Sequence, residues 1–250
     1  MPNVYLLEAK MEFLKSLRMK SYSLATVLFP TMFYCFFVLS MGQSKDFTPM
    51  ARYTLATYGA FGVMGATLFA FGVGVAVERG LGWLQVKRAS PMPPAAYFLA
   101  KGVTALSFGA IVVALLCGLG AAFGGVRMPV WQWLAMGGAL IAGAIPFCAL
   151  GLAIGNFAGP NSAPAMVNMI YLPMAFCGGL WIPFHFLPKG IQAIAPLLPS
   201  FHLSQIALRI LGAPTQGAAA THVGALAGFT LLFAGVAWWG HARGREKMYG

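Results

Sequence analysis

LATYGAFGVMGATLFAFGVGVAV, Leu55–Val77, runs directly into ERGLGWLQVKRASPMPPAAYFLAK, Glu78–Lys101, and this junction decides what kind of chain it is. The first stretch holds no Asp, Glu, Lys or Arg. A helix rising 1.5 Å per residue needs about 20 such residues to cross a hydrocarbon core of roughly 30 Å. The second stretch opens on an acid and a base, carries further bases, and ends in clustered prolines. It marks where the chain leaves a bilayer and turns back.

Working outward, five further segments read as spans: Tyr22–Met41, Gly102–Phe123, Leu134–Phe157, Ala163–Ile182 and Val223–Trp239. None contains Asp, Glu, Lys or Arg. A charge at mid-helix costs about 2.5–3.5 kcal/mol on insertion scales, so clean segments insert readily. The same cleanness removes the groups that proton relays and ion sites use. The composition agrees: the 250-residue chain is 59% hydrophobic and 8% charged, whereas about a quarter of a soluble domain is charged. The expected fold is all-α and polytopic, a single transmembrane domain over residues 1–250. The first run is longer than the h-region of a signal peptide and lacks its small-x-small cleavage site, so it is read as a retained span.

A net charge of +11 suggests nucleic acid only if the bases form a binding face. Here they lie between apolar runs, as in membrane loops. With the N-terminus inside, the inner segments hold Lys10, Lys15, Arg18, Lys20, Arg79, Lys87, Arg88, Lys101, Arg243, Arg245 and Lys247. The outer ones hold only Lys45, Arg52, Arg127, Lys189 and Arg209. That bias predicts six spans with both termini cytoplasmic.

Two segments are neither spans nor plain loops. In Val4–Lys20, at 100° per residue, Leu6, Leu7, Met11, Phe13, Leu14 and Leu17 share one face while Glu8, Glu12, Lys15 and Ser16 lie opposite. This predicts an interfacial helix lying on the inner leaflet. In Pro183–Gly212, Pro183, Pro188, Pro196 and Pro199 cut an apolar stretch into pieces too short to cross. Broken backbone at membrane depth survives only under cover of protein or water, which predicts two half-helices dipping in from the outer side.

Catalytic signals are missing. The sequence has no GxxxxGK[ST], no HExxH and no GxSxG, so the chain is expected neither to bind ATP itself nor to be an enzyme. His185, His202, His222 and His241 are scattered, each without a partner at ligand spacing. Cys35, Cys117, Cys148 and Cys177 sit in apolar runs and read as packing residues; no metal site is expected. Gly59, Gly62 and Gly65, and Gly151, Gly155 and Gly159, are spaced for close helix contact, within one chain or between two. The inner loop is more informative. Gly80 and Gly82 allow a sharp departure from the preceding helix, Trp83, Leu84 and Val86 give a short helix an apolar face, and Pro91, Pro93 and Pro94 end it. A compact, rigidly bounded protrusion is suited to docking a partner.

These features together resemble the permease subunits of type 2 ABC exporters, which handle drugs, lipid-linked glycans and polysaccharides. The resemblance covers nearly the whole chain. It rests on the helix before the first span, on Glu78-Arg79-x-x-Gly82 with Arg88-x-Ser90-Pro91 and Lys101, and on Gly178, Gly179, Pro183, Pro188, Pro196 and Pro199. It implies a dimer, with itself or with a similar permease, bound to two copies of a separate ATPase that carries ATP and magnesium. It also implies an inner (cytoplasmic) bacterial membrane location. The coupling loop at the ATPase would comprise Glu78, Arg79, Gly80, Gly82, Trp83, Leu84, Lys87, Arg88, Ser90 and Pro91. The segment 183–212, with Gly178 and Gly179, would form the outer gate. Phe33, Phe36, Phe37, Phe69 and Phe71 are candidates to line a path for an apolar or amphipathic substrate. The alternatives are an ATP-independent secondary transporter or channel and an intramembrane enzyme, each disfavoured by spans without charge.

Overall fold

The structure is a computed structural model that describes residues 3–40 and 47–249. Among the described residues every regular element is helical. Helix α1 (Val4–Arg18) is followed across Met19 by α2 (Lys20–Ser40). The second span is α3 (Phe47–Leu68), a π-helical turn over Phe69–Val73, and α4 (Gly74–Gly80). Then come the short α5 (Trp83–Ala89), the long α6 (Pro94–Ala122), and a fourth span built from α7 (Val130–Ala142) and α8 (Ile145–Phe157). Helix α9 (Ala163–Cys177) leads into the broken segment of α10 (Lys189–Ile194) and α11 (Pro199–Ile210), and α12 (Ala219–Tyr249) closes the chain.

Among the described residues five helical stretches are long and apolar enough to cross a membrane: Tyr22–Ser40, Phe47–Gly80, Pro94–Ala122, Val130–Phe157 and Ala219–Gly240. The sixth expected span, Ala163–Ile182, is shorter than the sequence suggests. Helix α9 stops at Cys177, because Gly178 lies against Ser200 and Gly179 takes φ +73°, turning the chain before Ile182. The fourth span is interrupted at Gly143 and Ala144 rather than continuous.

Side-chain ties give each helix a direction. At one face, Arg52 donates to Arg127 O at 2.5 Å and Tyr53 to Gly179 O at 3.0 Å. At the other, Arg79 donates to Asn156 O and Ala158 O, and Asn156 Nδ2 donates to Ala237 O at 2.8 Å. Helices α2, α3–α4, α6, α7–α8, α9 and α12 therefore alternate between the faces, and α1 and the C-terminal part of α12 share the Arg79 face. Both ends of the broken segment lie at the Tyr53 face. The axes of 189–197 and 199–210 meet at 91°, and Leu203 packs on Gly143 in the middle of the fourth span. The segment is thus a re-entrant pair, not a seventh span.

The apolar core centres on α3, buried along nearly its whole length. Its glycines contact neighbours within the chain: a Cβ on Gly59 would lie 2.7 Å from Leu140, and one on Gly65 2.7 Å from the Tyr171 hydroxyl. Gly151 and Gly155 of α8 fit against the π turn in the same way, where a Cβ on Gly155 would lie 2.7 Å from Phe71 O. Of the spaced glycines only Gly159 lacks a close helix contact.

Candidate functional site

Helix α3–α4, at 34 residues, spans about 51 Å and outruns the hydrocarbon core, so Glu78 and Arg79 project beyond it. Helix α6 likewise starts before its apolar run, which puts Tyr97 and Lys101 at the same level. Helix α1 lies across these ends, mainly on α6.

The side chains converge on one charge cluster. Lys101 donates to Glu12 at 2.7 Å and to Glu78 at 3.1 Å, and Tyr97 donates to Glu78 at 2.6 Å. Lys15 bridges Glu12 at 2.5 Å and also pairs with Glu78, while Lys87 pairs with Glu8 and sits over the Tyr97 ring. Three acids and three bases balance. Burial opposes charge on Glu78, yet Lys101, Lys15 and the hydrogen bonds from Lys15 and Tyr97 hold its carboxyl down at about 2.

The two faces of α1 meet different surroundings. Glu12 and Ser16 are its buried residues, whereas Leu6, Leu7, Met11 and Leu17 are exposed. The polar face turns inward because it meets the charged ends of α4 and α6; the apolar face is left outward, where lipid can cover it.

The residues expected in a coupling loop separate into two groups. Glu78 is 9% exposed and wholly engaged inside the chain. Arg79 clasps the α8–α9 connection, and Gly80 lets Pro160 approach, since a Cβ there would lie 2.6 Å from it. Gly82, at φ +76°, ends one helix and starts the next, a left-handed position suited to glycine. Leu81 is exposed just before it; beyond it, α5 presents Trp83 and Val86 outward, with Ser90 and Pro91 exposed at its end, while Leu84 packs on the Tyr97 cluster. The side chain of Arg88 lies outside the described residues, as do Lys45 and the side chains of His241, Arg243, Arg245 and Lys247.

Between α1, α4, α5 and α6 lies a cavity of about 670 Å³. Met11, Met19, Phe69, Val73 and Trp83 give it an apolar wall, while Glu12, Lys15, Glu78 and Lys101 give it a charged one. Thr104 lines it too, its buried hydroxyl without a hydrogen-bond partner.

The other sequence-predicted residues are dispersed. Of the five phenylalanines only Phe69 lines this cavity; Phe71 is buried in a cluster with Val75 and Tyr97, and Phe36 is 64% exposed. Phe33 stacks on Trp181, and Phe37 packs on Tyr58. They do not form one path. The residues expected at an outer gate lie in the broken segment and its approach: Pro188 caps α10, Pro199 begins α11, Pro183 precedes a 3-10 turn, and Tyr53 ties Gly179 O to the Phe184 amide.

One site escaped the sequence. His202 and His222, read as unpartnered, face each other with Nδ1 atoms 2.9 Å apart. They are 20 residues apart on α11 and α12, and nothing in their spacing signals the meeting.

Comparison with known proteins agrees with this architecture. The family described as ABC-2 type transporter matches residues 5–212. The chain belongs to that family. It is also similar to YvfS of Bacillus subtilis (strain 168), which carries a transport-permease name. The two are 28% identical over 216 residues, which cover 85% of this chain and 88% of the relative. The family match over residues 5–212 takes in nearly all of α1, the charge cluster, α5 and the re-entrant pair. The chain is therefore a multi-pass membrane protein and a subunit of a membrane transporter.

Proposed function

We propose that this chain is the membrane-spanning half of an ATP-driven exporter, worked by separate ATP-binding subunits that dock on α5 from the cytoplasm. The supporting observation is the division of labour around Gly82. Glu78 and Arg79 anchor the preceding helix to α1, α6 and α8, while Trp83 and Val86 stand exposed on a seven-residue helix and Leu81 is exposed just before it. Apolar residues on a charged protrusion suit burial by a partner, and the rigid base lets a push on α5 reach α3 and α6. ATP and magnesium would stay on the partner, since the chain has no phosphate-cradling motif.

Two copies of each subunit would form the working unit, in a bacterial cytoplasmic membrane with both chain termini inside. The substrate would be apolar or amphipathic. The cavity beneath α1, with one apolar and one charged wall, suits such a molecule. The re-entrant pair would close the opposite end.

The deciding experiment is co-purification with a candidate ATP-binding subunit from the same organism, followed by reconstitution in vesicles. Complex formation and transport only with hydrolysable ATP are expected. Transport by the purified chain alone would instead establish a secondary transporter or channel.

A further inference from the structure

We infer that His202 and His222 form a binding site for a single proton, shared between their Nδ1 atoms, that latches the re-entrant pair to the last span. The inference follows from counting donors and acceptors. His202 Nε2 lies 2.9 Å from Pro196 O, and His222 Nε2 lies 2.6 Å from Gln216 O. A carbonyl oxygen only accepts, so each Nε2 must carry a hydrogen. Two neutral rings protonated at Nε2 would then set their Nδ1 lone pairs against each other at 2.9 Å. The arrangement becomes attractive when one Nδ1 holds a proton and donates it to the other. One proton, and one only, satisfies all three contacts.

The surroundings fit a count of one. Both rings are buried, at 5% and 3% exposure, with Phe201 and Phe229 against them. Among the described side chains the carboxylates are Glu8, Glu12 and Glu78, all in the charge cluster at the opposite face. None faces the histidines to stabilise a second charge. Arg209 of α11 binds Gly217 O beside His222 and adds positive potential. Helix α3 contributes Tyr53 and Tyr58 with neutral hydroxyls, Arg52 is bonded to Arg127 O, α9 offers Tyr171 and Cys177, and α7 has no ionisable residue. The lone pair of the neighbouring Nδ1 holds the first proton, and no nearby carboxylate among the described side chains favours a second.

The consequence is a characteristic pH profile. An unfolded histidine titrates at about 6.5, so the unfolded pair binds two protons well below that pH and none well above it. A folded pair that keeps its shared proton binds one. Below about 6.5 the unfolded state holds more protons, and stability rises with pH; above it the folded state holds more, and stability falls. The pair contributes most near pH 6.5 and less on either side.

The test is thermal unfolding of the full chain in detergent from about pH 5 to about pH 9, for wild type, His202→Asn, His222→Asn and His185→Asn. The difference between wild type and either pair variant should be greatest near neutrality and shrink at both ends, while His185→Asn, exposed and outside the pair, keeps the wild-type profile. A difference that does not change with pH, or a maximum that survives both pair substitutions, overturns the proposal. Should the pair variants fail to fold, ¹⁵N-histidine spectra of the wild type at neutral pH decide the matter. Two protonated Nε2 atoms and one proton exchanging between two Nδ1 atoms are expected; two neutral rings without a shared proton would refute it.

Discussion

Lys101 Nζ lies 2.7 Å from Glu12 Oε1, joining two side chains that are 3% and 6% exposed and 89 residues apart in the chain. The bond fastens α1 to the start of α6, and Glu78 on the end of α4 closes the triangle at 3.1 Å. A buried ion of this kind is stable only while its partners stay charged and in place. This end of the bundle is therefore a single mechanical unit of α1, α4 and α6, with α5 projecting from it.

Lys101→Met should destabilise the chain by about 3–5 kcal/mol, because it leaves Glu12 and Glu78 sharing Lys15 alone. Glu12→Gln should also weaken the clasp. The double variant should lose clearly less than the sum, since each change removes the charge that the other strands. Thermal melts of the four proteins in detergent measure this coupling; additive losses would show that the two residues act independently.

Glu78 predicts an acid limit. Its carboxyl ionises at about 2 in the folded chain against an ordinary 4.5, so its stabilisation is full above about 4.5 and fades as pH falls toward 2. Melting temperatures of wild type and Glu78→Gln should differ most above pH 4.5 and converge as pH falls. A gap that stayed constant across that window would show that the Glu78 charge contributes nothing.

Substitutions on α5 should behave oppositely. Trp83→Ala and Val86→Ser alter exposed side chains, so stability should change by no more than about 0.5 kcal/mol. Affinity for the ATP-binding subunit, measured by titration of the purified components, should fall by about tenfold or more if these are interface anchors. Unchanged affinity in both would remove α5 as the docking element.

Much of this was readable in the residues, and the unreadable parts have a common cause. Spans declare themselves because a bilayer imposes length and apolarity on each helix separately. Prolines at 183, 188, 196 and 199 declare a broken segment for an equally local reason. The inward polar face of α1 was hidden because helical periodicity finds two faces without saying which one has a partner. Its partners, Glu78 and Lys101, are supplied by other helices. The His202–His222 pair was hidden for the same reason, as were the separate fates of Phe33, Phe36, Phe37, Phe69 and Phe71. Glu78 looked like a surface contact because it ends a span, and only the fold shows it facing inward.

The glycine spacing, ambiguous in sequence, now divides by position. Gly155→Ala should cost about 1–3 kcal/mol, because its Cβ would lie 2.7 Å from the backbone carbonyl of Phe71, which cannot easily withdraw. Gly228 on α12 has open space around it, so Gly228→Ala should leave stability unchanged or slightly higher. Equal losses at both positions would place a second chain against α12.

Topology offers the last test. His185 is exposed on the turn after the fifth span, at the face of Tyr53 and Gly179, whereas Trp83 is exposed at the opposite face on α5. In a background with Cys35, Cys117, Cys148 and Cys177 replaced by serine or alanine, His185→Cys should react with a membrane-impermeant thiol reagent on intact cells. Trp83→Cys should react only after the cells are opened. His202→Cys should stay slow under both conditions, because its position is buried between α11 and α12 even though it follows His185 in the same segment. Labelling of residue 83 from outside would invert the molecule and put α5 out of reach of any cytoplasmic motor. Rapid labelling of residue 202 from the inside would make the broken segment a crossing and place the last helix in the reverse direction. The expected pattern, with residues 83 and 185 on opposite sides and 202 protected, is the one that lets force applied at α5 act on a gate at the far end of the same bundle.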